Sequence, residues 1–298
     1  VGSSELADNA VDTAAIADDA VTAAKIANNE DFNINSVTVG KGANSVSGNT
    51  VLGESALDAS VSGGGNTAIG KEALTSHTSG TNNTAVGQIA AFSNTTGNNL
   101  TAIGRGAAYA NTSGIENTAI GTGALFYNTT GDNNVAVGRL ALTANTTADN
   151  NTAVGKSSLA ANTTGAENVA VGSKTLDANT TGESNVAVGY VALGANTTGG
   201  NNVAVGRVSL DANTTGQKNT ALGNGTLSTS TTGDQNTALG FESLALSTTA
   251  DNNTGVGYYA LRSNTTGTNN VAVGIQALAL NTTADNNTAL GRVCLYDN

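Results

Sequence analysis

The chain has 298 residues, of which 38 are Gly and 11 % are charged, and it contains no Pro, Met or Trp. Ordinary globular domains carry about 25 % charged residues and more large side chains, so this composition cannot build two ordinary globular cores, although the length alone would allow about two domains. A formal net charge of −11 argues against nucleic acid and anionic lipid as partners, because both attract Lys and Arg.

The first 30 residues form their own pattern. Leu6, Val11, Ile16, Val21 and Ile26 recur every five residues, a spacing that matches neither a helical stripe nor a heptad seam. We predict a ten-residue fibrous repeat over 1–30, of threefold symmetry. Residues 31–48 are predicted to be a transition segment, and the sequence S-V-T-V-G at 36–40 is predicted to form a shortened first coil.

From residue 49 to residue 298 the sequence repeats every 17 residues without an insertion. Each repeat contains a glycine that follows an N-[TV]-A-[VIL] motif or a close variant, and we call it the anchor glycine. Because a fixed period indicates stacked units, we predict a coil for each repeat. The anchors are Gly53, Gly70, Gly87, Gly104, Gly121, Gly138, Gly155, Gly172, Gly189, Gly206, Gly223, Gly240, Gly257, Gly274 and Gly291.

Positions are counted from the anchor. Position −1 is always aliphatic, −2 is usually Ala, −3 is Thr or Val, −4 is usually Asn, and +4 is usually Leu. Alternation with period two predicts a short strand with two apolar faces. We expect the larger side chains at −1 and −3 to fill the coil interior, the Ala face to contact a neighbouring subunit, and the +4 Leu to form the opposite wall. N-T-T-G stretches are predicted corners, which leaves room for two short strands in each coil.

The predicted fold is therefore all-β: a parallel β-solenoid, or β-roll, of about fifteen 17-residue coils, with the last coil incomplete at Asn298. At ~4.7–4.9 Å per coil, fourteen intervals span roughly 70 Å.

Three aromatic residues, Phe92, Tyr109 and Phe126, share position +5 in successive coils, so we expect them to stack as a ladder. Two interpretations remain open. The rings compensate for the replacement of the +4 Leu by Ala91 and Ala108, or they form a glycan-contact ladder on the surface.

The remaining candidate residues have simpler interpretations. His77, which replaces a corner Asn, is predicted to be a surface residue, and Cys294 a small buried filler. With a single His and a single Cys, we predict no catalytic residues, no metal site and no cofactor. The N-T-T corners are also acceptor sequences for N-glycosylation, although turn chemistry alone explains them. Basic residues at +1 are predicted to be exposed and not to form a site; they are Lys71, Arg105, Arg139, Lys156, Arg207 and Arg292.

The motifs N-T-A-I-G at 66–70, N-T-A-V-G at 83–87 and N-V-A-V-G at 185–189 resemble the head repeats of trimeric autotransporter adhesins. The longer pattern at 151–165 and the decapeptide at 6–15 are more similar to repeats of phage tail-fibre shafts. The resemblance implies a left-handed, homotrimeric roll.

We therefore expect a non-enzymatic trimeric shaft of a phage tail fibre, located in the virion. Its partners are expected to be copies of itself, other tail proteins, and a host glycan or protein contacted through a tip outside this chain; we expect no nucleic acid and no membrane insertion. The alternative is a bacterial surface adhesin or extracellular filament that binds host surfaces or glycans. An ice-binding solenoid or a glycan-cleaving spike is less consistent with the pattern, because adjacent Thr residues cannot share one face and no acidic pair departs from the repeat.

Overall fold

The computed structural model describes residues 32–297, so the decapeptide repeat predicted for 1–30 lies outside the described part of the chain. Within the described part, regular structure consists of 17 short strands and one 3₁₀ turn at Ala43–Ser45. The strands are β1 (Phe32–Ile34), β2 (Val37–Gly40), β3 (Thr50–Gly53), β4 (Thr67–Ile69), β5 (Thr84–Val86), β6 (Thr101–Ile103), β7 (Thr118–Ile120), β8 (Val135–Val137), β9 (Thr152–Val154), β10 (Val169–Val171), β11 (Val186–Val188), β12 (Val203–Val205), β13 (Thr220–Leu222), β14 (Thr237–Leu239), β15 (Thr254–Val256), β16 (Val271–Val273) and β17 (Thr288–Leu290).

All strands belong to one sheet, and every pairing from β3 to β17 is parallel. The register is the same throughout, because each residue lies opposite the residue 17 positions later; Thr67 pairs with Thr84 and Ala68 with Ala85. The predicted β-solenoid is thus confirmed, with fourteen 17-residue steps between β3 and β17. Its handedness and trimeric state stay predictions from the resemblance.

Each complete coil contains one strand, so the prediction of two strands per coil is wrong. The segment after the anchor glycine is a series of turns with left-handed residues at +2 and +4, such as Ile89 at φ 52° and Leu74 at φ 52°. It still bonds along the axis, since the Leu74 N–H donates to the Ala90 carbonyl at 3.0 Å. Positive φ at every second residue departs from the extended β region and prevents this segment from becoming a second strand.

The predicted orientation of the strand is also wrong. Ala170 is fully buried, whereas its neighbour Val171 is 36 % exposed, and the same pattern recurs along the sheet. The interior is formed by the Ala ladder at −2 facing the Leu ladder at +4, and both are at or near zero exposure except at Leu295 in the last coil, which is 47 % exposed. Because the +4 Leu occupies most of the narrow lumen, a small side chain faces it in almost every coil, with Val51 of the first coil as the larger exception. The residues at −1 and −3 face outward.

The N-terminal end of the solenoid has a different arrangement. β2 pairs antiparallel with β3, with Val39 opposite Leu52, and β1 pairs antiparallel with β2. The 36–40 motif is therefore not a shortened coil, because a coil requires a parallel strand. The hairpin instead covers the edge of β3 that no earlier coil covers, and such coverage protects an exposed sheet edge.

Two buried ladders of Asn stabilise the corners. At position −4, the Asn83 N–H donates to Asn66 Oδ1 at 2.9 Å and Asn83 Nδ2 donates to the Gly97 carbonyl at 2.9 Å. At position +7, Asn128 Nδ2 donates to Asn111 Oδ1 at 2.8 Å and to the Gly131 carbonyl at 2.9 Å. Buried amides are stable only when they are bonded, and the 17-residue repeat supplies each amide with the same partners.

The +7 ladder is interrupted where Ser replaces Asn, at Ser230 and Ser247, and this leaves Asn213 Oδ1 and both Ser hydroxyls buried without a hydrogen-bond partner. We expect Ser230→Asn together with Ser247→Asn to stabilise the chain by about 1 kcal/mol for each restored bond. Asn145→Ser, which removes bonds to Asn128 and to the Ala148 carbonyl, should act in the opposite direction. Thermal and urea denaturation measure both changes, and equal midpoints for all three proteins would contradict the prediction.

Candidate functional site

The predicted aromatic ladder is present on the surface of the solenoid. The rings of Phe92 and Tyr109 lie 5.3 Å apart at 14°, and those of Tyr109 and Phe126 lie 4.8 Å apart at 11°. These separations are close to the spacing of successive coils, so the stacking follows from the repeat. Tyr127 then meets Phe126 edge to face at 74°.

The geometry bears on the glycan interpretation and leaves open the interpretation that the rings compensate for the missing +4 Leu. Ala91 and Ala108 are fully buried, whereas the three rings are only partly buried. The faces of Tyr109 are covered by its two neighbours. A sugar therefore cannot stack on each ring in turn, and the ladder presents mainly ring edges.

Next to the end of the ladder lies a groove of about 330 Å³, which we call the arginine groove. Its sides are Ile89, Phe126 and Leu140, and its floor is formed where two successive coils have glycine at position +2. The groove brings together Phe126 and two of the basic +1 residues, whereas Phe92 and Tyr109 do not line it. Its lining residues are Ile89, Arg105, Gly106, Thr122, Gly123, Phe126, Arg139 and Leu140.

The sequence analysis does not predict the arginine groove, because it compares each residue with the repeat pattern and not with residues at the same position in the neighbouring coils. A signal was nevertheless present: position +2 holds Gly in two consecutive coils, at Gly106 and Gly123, between Ile89 and Leu140. A comparison of the residues at position +2 in successive coils predicts a gap in the surface there.

A second aromatic cluster lies further along the solenoid. Phe241 stacks on Tyr258 at 5.6 Å and 13°, and Tyr259 lies 4.0 Å from Tyr258. Arg262 lies 4.8 Å over the Tyr259 ring and its Nε is 2.9 Å from Glu242 Oε2. A hydrogen bond with Tyr258 raises the pKa of Tyr259. Because its arginine is already paired with a carboxylate, this cluster is less suited than the arginine groove to bind an anion.

His77 is fully buried, so the prediction of a surface residue is wrong. It occupies the +7 position of its coil and reproduces the bonding of an Asn. Its Nε2 lies 2.8 Å from the Gly80 carbonyl, and its Nδ1 lies 3.3 Å from Asn94 Nδ2. The neutral imidazole with its proton on Nε2 satisfies both neighbours. Burial lowers the pKa of His77, and its hydrogen bonds raise that pKa by a smaller amount.

This lowered pKa predicts a stability that depends on pH. The unfolded chain binds a proton at His77 near pH 6.5 and the folded chain only at lower pH, so the stabilisation is present above pH 6.5 and is lost as the pH falls below it. We expect the denaturation midpoint to fall between pH 7.5 and pH 5, and to fall less in His77→Asn. Parallel profiles for the two proteins would contradict a buried, neutral His77.

Cys294 is a free thiol that is partly buried and packs against the core, close to its predicted role as a small buried filler. Burial raises the pKa of Asp177 and of Asp211.

Among residues 32–297, no group of three His, Cys, Asp or Glu is arranged to hold a metal ion. In the same range, the structure contains no helix with the length and apolar character needed to cross a bilayer.

Comparison of the chain with protein-family models, curated proteins and solved structures finds no match. The similarity of its repeats to tail-fibre and adhesin repeats therefore stays a resemblance of motifs.

Proposed function

We propose that this chain is a structural shaft segment of a trimeric fibre of the phage tail-fibre kind. The observation that carries the proposal is the constant 17-residue register from β3 to β17. A rod in which every coil bonds to the next in the same way is suited to reach and stiffness. Its work would be to hold a receptor-binding tip, located outside this chain, at a fixed distance from the particle.

The outer face of the strands supports self-association. Positions −1 and −3 form two parallel ladders of Val, Ile, Leu and Thr that are half-buried or exposed over the length of the solenoid; Ile103, Val171 and Leu239 are between 36 and 39 % exposed. At about 70 Å by 10 Å, this strand face offers about 700 Å² per chain, close to the ~800 Å² that each partner buries in a stable complex. We assign the strand face, instead of the Ala ladder, as the contact between copies.

The number of copies comes from the resemblance to trimeric fibre repeats. An apolar strip that runs along one side of a rod is covered when copies pack about a common axis, which is a closed arrangement. Sedimentation equilibrium of the full chain should give the mass of three 29.1 kDa copies. A monomer, or a mass that rises without limit, would contradict the proposal.

The alternative function is a surface adhesin or extracellular filament whose shaft binds ligands directly. The observation that favours it is the arginine groove, which a purely mechanical rod does not need. Mass spectrometry of purified virions and of the bacterial cell envelope distinguishes the two locations. Recovery of the chain only from the envelope would favour the adhesin.

A further inference from the structure

We propose that the arginine groove binds an acidic saccharide, with the sugar carboxylate held by Arg105 and Arg139 and its ring against Phe126. This binding site is separate from the mechanical role proposed above, because it depends on three departures from the repeat in two successive coils: Gly106 and Gly123 at position +2 and Phe126 at position +5.

The groove exists because two side chains are absent. The backbone does not require glycine here, since Ile89 and Leu140 occupy the same position in the flanking coils at φ 52° and 57°. A Cβ on Gly106 would lie 3.0 Å from Phe126 Cε2, and a Cβ on Gly123 would lie 3.0 Å from Leu140 Cδ2. Any larger side chain would therefore occupy the space that the groove provides.

The groove is positively charged on a negatively charged chain. Arg105 and Arg139 share position +1 and are two coils apart, which places their backbones roughly 10 Å apart along the axis. Both are exposed, and none of the ion pairs within residues 32–297 involves either guanidinium. In contrast, Lys71 and Arg262 are paired with Glu. No acidic side chain lines the groove, so an anion that enters it meets two unpaired positive charges.

The remaining lining favours a saccharide over a simple anion. Each guanidinium has five N–H donors, so two of them exceed what one carboxylate accepts and can also bond to ring hydroxyls. The exposed Thr122 between them adds a hydroxyl. Ile89, Phe126 and Leu140 form an apolar side suited to the C–H face of a pyranose, and about 330 Å³ is within the usual range for small-ligand sites.

Two pairs of probes test the proposal on the full chain by calorimetric or NMR titration. Trigalacturonate is compared with its fully methyl-esterified form, and 3′-sialyllactose with lactose; each pair differs in carboxylate charge or in the acidic sugar. We expect at least one acidic member to bind and its neutral counterpart to bind at least tenfold more weakly. If both acidic probes bind equally, the groove recognises the shared carboxylate; a difference identifies the sugar class.

Matched variants locate the site. Arg105→Gln with Arg139→Gln, and separately Gly123→Leu, should each weaken binding by about tenfold or more. The controls are Lys156→Gln with Arg207→Gln, which remove the same charge from the same coil position, and Gly225→Leu, which fills the same position in a distant coil. The controls should bind as the unmodified chain does.

Four results would overturn the proposal: no binding of either acidic probe at about 10 mM, equal binding of the neutral probes, equal losses in the control variants, or equal binding of polyglutamate, which would assign the groove to acidic peptides. Sedimentation of each variant reports assembly separately, so failure of the binding site and failure of the trimeric shaft are distinguishable.

Discussion

Gly223→Ala is expected to lower the stability of the solenoid by about 3 kcal/mol or more, whereas Gly225→Ala in the same coil should change it by less than about 1 kcal/mol. Gly223 is an anchor glycine at φ +136°, in a region that L-residues rarely adopt, and a Cβ there would lie 2.6 Å from the Gly240 carbonyl oxygen. That oxygen belongs to the backbone of the next coil and cannot move without disturbing it.

Gly225 is the matched control for this prediction. Its φ of +67° is close to values that non-glycine residues adopt at position +2 elsewhere, and its Cβ would meet only the flexible side chain of Glu242 at 3.2 Å. Thermal denaturation measures the difference, which should be about 3–5 °C for a chain of this size. Hydrogen exchange should show the loss of protection centred on the coils of Gly223 and Gly240. Similar midpoints for the two variants would mean that the anchor position tolerates a side chain.

The strand register and the stacking of like residues could be predicted because both follow from the constant length of the repeat. A constant 17-residue period predicts that like residues lie opposite each other, and Val169 opposite Val186 confirms it. The stack of Phe92, Tyr109 and Phe126 follows from the same argument. These features depend only on register, which is visible in a single sequence.

What the period could not reveal is which face of a strand points inward. Both faces are apolar, and the usual preference for burying the larger side chain gives the wrong answer, since Ala170 is inside and Val171 outside. The width of the lumen decides the question, and that width depends on the +4 Leu and on turns with left-handed residues. For a related reason His77 was misplaced: its ring replaces a buried Asn because two atoms of imidazole match the donor and acceptor of an amide.

The candidate site was only partly predictable. Phe126 was identified, but its role at the groove depends on the absence of side chains at Gly106 and Gly123. A glycine by itself does not indicate a binding site in a sequence. These two glycines are recognised as groove-forming only because Ile89 and Leu140 occupy the same position in the neighbouring coils.

The orientation of the strand leads to the second large expected effect. Ala170→Asp should prevent folding of the solenoid around β10, with a loss of more than about 4 kcal/mol, because an unpaired carboxylate would replace a methyl group between Ala153 and Ala187. Val171→Asp, one residue later, places the same charge on the strand face. It should preserve the fold but abolish assembly of three copies.

These outcomes are separated by two measurements on the same variants. Circular dichroism with limited proteolysis reports the fold, and sedimentation equilibrium reports the mass; Val171→Thr, which keeps a β-branched shape without charge, should match the unmodified chain in both. A trimer that survives Val171→Asp would remove the strand face as the interface. Normal folding of Ala170→Asp would contradict the Ala-lined interior. The side chain at position 170 is enclosed by its own coil and by the coils before and after it, so neither water nor a hydrogen-bonding group can stabilise a carboxylate there.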